Sequence, residues 1–237
     1  LVEVPDGATA RQIAGILKRE GVIRSEGWFL RVARWRGVDQ RLEAGVYEFR
    51  DRSPTGAILE KLVRGQIAVV KLTVPEGATC ADIAGMLARR KVEGAGRFEA
   101  YARERKLEGF LFPDTYVCPL GVSIETVAEK MLETFRVRFE DAYGETITRK
   151  NEKEVKKIVT VASIVEKEAE IDSERALIAG IFYNRLRRRM PLQSCSTVEY
   201  ALGVHRKRLT KADLQVESPY NTYKHKGLPP GPICNPG

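Results

Sequence analysis

The feature that most constrains this chain is an internal repeat. Val4-Pro5-Asp6-Gly7-Ala8-Thr9, with Ile13-Ala14-Gly15 and Leu17 behind it, returns about seventy residues later as Val74-Pro75-Glu76-Gly77-Ala78-Thr79 with Ile83-Ala84-Gly85 and Leu87. Each copy reads as a strand end, a Pro-acid-Gly turn, a Thr N-cap and an amphipathic helix. The first half of the chain is therefore expected to be built twice from one small strand-helix unit. A duplicated packing unit without any ligand would give the same pattern.

Between the copies the pattern predicts a helix over 26–36, a strand over 45–49, a helix over 54–63 closed by Arg64-Gly65, and a strand over 67–74. Past Lys106 the texture changes to an aromatic, turn-rich loop, 107–116, and a boundary is drawn there. Helices follow over 124–143 and 152–169, and a third is capped by Asp172 or Ser173 and ends in the basic cluster 185–189. From Pro191 short pieces alternate with Pro and Gly. At 237 residues there is room for one large domain or two to three small ones. A content of 43% hydrophobic and 30% charged residues excludes disorder, collagen and coiled coil. No apolar run approaches the roughly 18 residues that span a bilayer.

The net charge of +8 admits nucleic acid, an anionic membrane surface or an acidic polymer as partner. Cys80, Cys118, Cys195 and Cys234 form no C-x-x-C, and with His205 and His225 they complete no zinc spacing, so no metal is expected. The chain opens at Leu1 without Met, inside what reads as a strand, so residues upstream are expected. There is no G-x-S-x-G, H-E-x-x-H or P-loop, and Gly94-Ala95-Gly96 reads as a turn. With two histidines in the chain, carboxylates become the leading acid and base candidates.

On a helical wheel at about 100° per residue, Glu166 falls in line with Val155 and Val159, on the inward face of its helix. Glu168 points nearly opposite and Glu170 lies at the margin. Desolvation would raise the pKa of an inward Glu166 and suit it to general-acid work, whereas a structural Glu paired with a buried Arg or Lys would occupy the same place. Downstream, Gln193, Ser194, Ser196, Thr197 and Tyr200, then Ser218, Tyr220, Asn221, Thr222 and Tyr223, offer amides, hydroxyls and aromatic faces. That inventory suits a glycan cleft, and it equally suits an irregular loop lidded by tyrosines. The Arg185 to Arg189 cluster and the run Arg206-Lys207-Arg208 are solvated faces or contacts for an acidic polymer.

Several long motifs in order carry a resemblance: Leu107-Glu108-Gly109-Phe110-Leu111-Phe112-Pro113-Asp114-Thr115-Tyr116, Ala162-Ser163-Ile164-Val165-Glu166-Lys167-Glu168 with Glu174-Arg175, Asn184-Arg185-Leu186, Leu192-Gln193 with Thr197-Val198 and Tyr200, and Tyr220-Asn221-Thr222-Tyr223 with Gly227-Leu228-Pro229-Pro230-Gly231. The chain resembles the endolytic murein transglycosylase family of YceG-like proteins, densely in its second half and more loosely in its first. The resemblance implies an α+β fold, with small LysM-like strand-helix modules ahead of a mainly helical catalytic domain carrying short strands. It divides the chain into an N-terminal α/β module over 1–70, a LysM-like module over 71–106 and a catalytic domain over 107–237 whose C-terminus is expected to be incomplete.

The family's activity is cleavage of the MurNAc-GlcNAc bond inside nascent peptidoglycan strands, leaving 1,6-anhydro-MurNAc ends and needing no cofactor. Its catalytic glutamate maps onto Glu166, the residue that the wheel turns inward. Gln193, Thr197, Tyr200, Asn221, Thr222, Tyr223 and Tyr116 become the substrate-binding candidates. The implied partners are peptidoglycan strands and cell-wall synthesis enzymes, not nucleic acid. The implied location is the outer side of the cytoplasmic membrane, held by a single-pass N-terminal anchor outside these residues. One departure stands out: Cys195-Ser196 occupies the place of the family's Asp-Pro. A non-catalytic peptidoglycan-binding or scaffold protein is the alternative.

Overall fold

A computed structural model describes residues 1–50, 53–204 and 209–237. Arg206-Lys207-Arg208 and His205 lie outside the described residues. The fold is α+β. In chain order the elements are β1 (Val2–Val4), α1 (Ala10–Arg19), α2 (Glu26–Trp35), β2 (Gly45–Tyr47), α3 (Thr55–Val63), β3 (Val69–Thr73), α4 (Cys80–Arg89), α5 (Phe98–Glu104), β4 (Thr115–Pro119), α6 (Ile124–Tyr143), α7 (Glu152–Glu168), α8 (Asp172–Arg187) and α9 (Cys195–Leu202). Among the described residues no helix is long and apolar enough to cross a membrane.

The repeat becomes a β-α-α-β module made twice. In the first, β1 pairs antiparallel with β2, Val2 opposite Tyr47 and Val4 opposite Gly45. In the second, β3 pairs with β4. The bonds from the Leu120 amide to the Ala68 carbonyl and from the Val74 amide to the Asp114 carbonyl run in the antiparallel sense. The turns match as the sequence requires: Gly7 and Gly77 sit at φ +70° and +73°, a region open to glycine. Thr9 and Thr79 each close a capping box, with Gln12 and Asp82 respectively.

By contacts the chain forms two compact units, Leu1–Lys71 with Val117–Val122, and Leu72–Tyr116 with Ser123–Gly237. Segments 71–106 and 107–237 thus fall in the second unit, apart from Lys71 and 117–122. The first unit is built on Leu17, Phe29, Tyr47, Ile58 and Leu62, all essentially inaccessible. The second has one cluster around Val161, Ile164, Phe182, Leu192 and Ile233, and another around Phe135, Val155 and Val159.

Two local expectations shift. The third long helix is capped at Ile171, with no side-chain cap bond, because the Asp172 carboxylate pairs with Arg175 Nε at 3.2 Å instead. The outer side of α7 is not free: Glu168, turned away from the apolar stripe, accepts from the hydroxyls of Ser194 and Ser196. The loop before α9 covers that side of the helix.

The second unit converges on Asn235, which is fully buried. Its Oδ1 accepts from the amides of Gly109 (3.0 Å) and Leu111 (2.9 Å). Its Nδ2 donates to the Ala78 carbonyl (2.8 Å) and to Glu108 Oε1 (3.3 Å). Its backbone bridges to the repeat turn through Gly77 N and Ala78 O. Just before it, the Ile233 amide donates to Ser163 Oγ on α7 at 3.0 Å. Asn235→Ala would leave two buried amides without an acceptor, a loss of about 2–5 kcal/mol. Urea denaturation should show the midpoint falling accordingly, while a truncation at exposed Glu133 leaves it unchanged.

Candidate active site

Glu166 lies near the C-terminal end of α7, its side chain 10% exposed. Arg175, from the first turns of α8, reaches it with Nη1 at 3.3 Å. The same guanidinium meets Glu76 at 3.2 Å and Asp172 at 3.2 Å, so one cation serves three carboxylates. Glu166 is therefore inward and paired with an arginine. Gly77 stands against it: a Cβ there would sit 3.6 Å from Glu166 Cγ and 3.5 Å from Lys167 Nζ. The second copy of the repeat turn thus forms one wall of this site, Glu76 binding its arginine and Gly77 lying beside Glu166 and Lys167.

Near that turn a cleft of about 1050 Å³ is lined by Glu108, Tyr200, Tyr220, Lys156, Lys167 and Arg103, among others. Glu108 was not singled out as a candidate by sequence reasoning. Its carboxylate accepts from the Cys80 amide at 3.1 Å, at the start of α4, and from the Tyr200 hydroxyl at 3.3 Å. Burial outweighs those bonds and pushes its pKa up to about 7. Tyr200 and Tyr220 pack beside it with ring centroids 4.9 Å apart and their planes tilted by 51°. Burial and the neighbouring Glu108 charge push the Tyr200 hydroxyl upward, so it stays a hydrogen-bond donor. A proton-holding carboxyl, a phenol donor and two aromatic rings can grip a sugar or supply a proton to one.

The other predicted residues divide. Gln193 is exposed, with backbone φ +52°, and its side chain lies 3.5 Å from Arg185 Nη1. Thr197 and Thr222 are buried and bonded to each other at 2.9 Å, and the Ser194 amide donates to Thr222 Oγ1. Asn221 is buried, donating to the Leu214 and Val216 carbonyls and accepting from the Tyr223 amide. These three tie segments 194–197, 214–216 and 221–223 together. Tyr223 lies 3.1 Å from the Sγ of Cys195, an exposed free thiol where the resemblance leads one to expect Asp. Tyr116 is buried on β4, its hydroxyl donating to the Phe112 carbonyl at 2.6 Å. Tyr200 lines the cleft, as do Ser196 and Tyr220 of the wider polar inventory.

Glu76 and Arg175 are 99 residues apart, and no periodicity announces their meeting. Glu108 did carry a signal, as a lone charge in the apolar run Leu107-Glu-Gly-Phe-Leu-Phe112. Among the described residues no cluster of His, Cys, Asp or Glu is arranged to hold a metal ion.

A model of the YceG-like family matches residues 2–237. The chain belongs to the YceG-like family. It is 35% identical over 265 residues to a Bacillus subtilis (strain 168) protein named endolytic murein transglycosylase, covering 100% of this chain and 72% of that one. A Streptococcus pneumoniae serotype 2 (strain D39) protein of the same name is 31% identical over 277 residues, with 99% of this chain and 50% of the relative covered. The crystal structure of a YceG-like protein from Listeria monocytogenes superposes with a TM-score of 0.62 at 34% identity, over 100% of this chain and 86% of that one.

In this cleft, Glu108 makes stability depend on pH. Its pKa rises from an ordinary carboxyl value to about 7 on folding, so between roughly pH 4.5 and 7 the folded state holds a proton that the unfolded state has lost. The associated stability is present below that window and is lost as pH rises through it, by up to about 3 kcal/mol. Thermal unfolding of wild type and Glu108→Gln across this range checks it. The wild type should weaken relative to the variant as pH rises.

Proposed function

We propose that this protein is an endolytic murein transglycosylase with Glu166 as its acid and base. Similarity along the whole of this chain to two relatives of that name, together with an inward Glu166 where the resemblance puts a catalytic glutamate, supports the reading. The protonated Glu166 carboxyl donates to the glycosidic oxygen as the bond from MurNAc C1 breaks. The resulting carboxylate then takes the proton from the C6 hydroxyl, whose oxygen bonds to C1. The products are a free GlcNAc 4-hydroxyl and a 1,6-anhydro-MurNAc end. The nucleophile belongs to the substrate, so neither water nor a second carboxylate nucleophile is needed, in contrast to hydrolases built on two carboxylates. Arg175 remains compensated by Glu76 and Asp172 while Glu166 carries the proton.

The substrate on this reading is nascent peptidoglycan on the outer side of the cytoplasmic membrane, reached from an N-terminal anchor and in company with cell-wall synthesis enzymes. The two β-α-α-β modules support a LysM-like, glycan-holding first half.

A second reading has its own observation: Glu108 holds a proton near neutrality and lines the cleft beside Tyr200, which favours it as the donor. Muropeptide profiling of glycan strands separates the two. Glu166→Gln is expected to lower release of anhydro-ended products by about 10²–10⁴-fold, with Glu108→Gln retaining measurable release. The opposite pattern assigns the acid to Glu108, and undiminished release by both variants removes the mechanism.

A further inference from the structure

The chain has two tryptophans, and both stand exposed on α2, Trp28 at 56% and Trp35 at 83%. Seven residues separate them, two helical turns, so the indoles share one face about 10 Å apart along the axis. Arg31 and Val32 lie between them at helical spacing. The opposite face, Phe29 and Ala33, is buried in the first unit's core and holds the helix in this rotation. A groove of about 470 Å³ runs along the outer face, from Trp28, Arg31, Val32, Trp35 and Arg36 to Thr55 and Gly56 at the start of α3. Indoles this exposed and this close together mark a surface that meets a partner.

The chemistry of the lining selects the partner. Indole and guanidinium groups donate hydrogen bonds and accept none. The acceptors in the groove are the Thr55 hydroxyl and backbone carbonyls, and Gly56 O already faces Arg36 Nη1 at 3.4 Å. A sugar offers hydroxyls that need acceptors as well as donors, and among the described residues no carboxylate or amide side chain lines this groove to receive them. A phosphodiester needs donors alone. The charge agrees: Arg24, Arg31, Arg34 and Arg36 are exposed along this stretch, and Glu26 is engaged by Lys18 at 3.4 Å.

We propose that the outer face of α2 docks onto a bilayer surface containing anionic phospholipid, with the indoles at headgroup depth and the arginines on lipid phosphates. Amphipathic indole rings favour that depth, and arginines are drawn to an anionic leaflet. The inference is independent of which carboxyl performs the chemistry.

Because both tryptophans lie on this face, tryptophan fluorescence, excited selectively over the eight tyrosines, reports on it alone. Vesicles of phosphatidylcholine mixed with phosphatidylglycerol should shift the emission to the blue, and bromine-labelled lipid should quench it. Pure phosphatidylcholine vesicles should do neither, and added salt should reverse the shift. In co-sedimentation with the anionic vesicles, Trp28→Ala/Trp35→Ala and Arg31→Gln/Arg34→Gln should each lower the bound fraction at least about tenfold, with circular dichroism unchanged. The proposal is overturned if wild type gives no shift on anionic vesicles, if folded variants bind as wild type does, or if glycerophosphate or soluble glycan strands produce the shift without any bilayer.

Discussion

The second unit depends on one fully satisfied buried amide. Asn235 uses both acceptor directions of its carbonyl and both donor hydrogens of its amino group, and through them joins the repeat turn, the 109–111 loop and Glu108. A buried polar group is tolerated when all its bonds are made and is costly when any is missing. Such a group therefore enforces one arrangement of the segments around it. The bond from the Ile233 amide to Ser163 extends the same control to α7, one turn ahead of Glu166.

From that junction the electrostatics of the site follow. Glu166 sits beside an arginine that two other carboxylates also hold, whereas Glu108 lies where burial outweighs three hydrogen-bond donors. Two carboxyls of the same unit thus meet opposite surroundings, one facing a cation and one facing desolvation. The repeat turn has been put to use here as well. In the second module its acidic position, Glu76, binds the arginine of Glu166.

Much of the fold was legible because it rests on local signals. Turn glycines, threonine caps and apolar spacing mark both modules, and the long helices at 124–143 and 152–168 begin where the pattern puts them. The inward turn of Glu166 was legible for the same reason, since a wheel needs only the spacing of its own helix. The loop residues were harder to interpret. Asn221, Thr197 and Thr222 have the chemistry of sugar ligands, yet they spend it on neighbouring backbone and on each other, because an irregular loop must satisfy its own buried polar groups.

By itself the sequence determined the two modules, the helix order, the inward face of α7 and the family. Only the tertiary structure decided which distant groups meet: Arg175 with Glu76, Glu108 with Tyr200, and Asn235 with the segments around it. Helix faces and turns are set by residues a few positions apart. Ion pairs and desolvation depend on segments some hundred residues apart in the chain, and these are brought together by packing that no local pattern encodes.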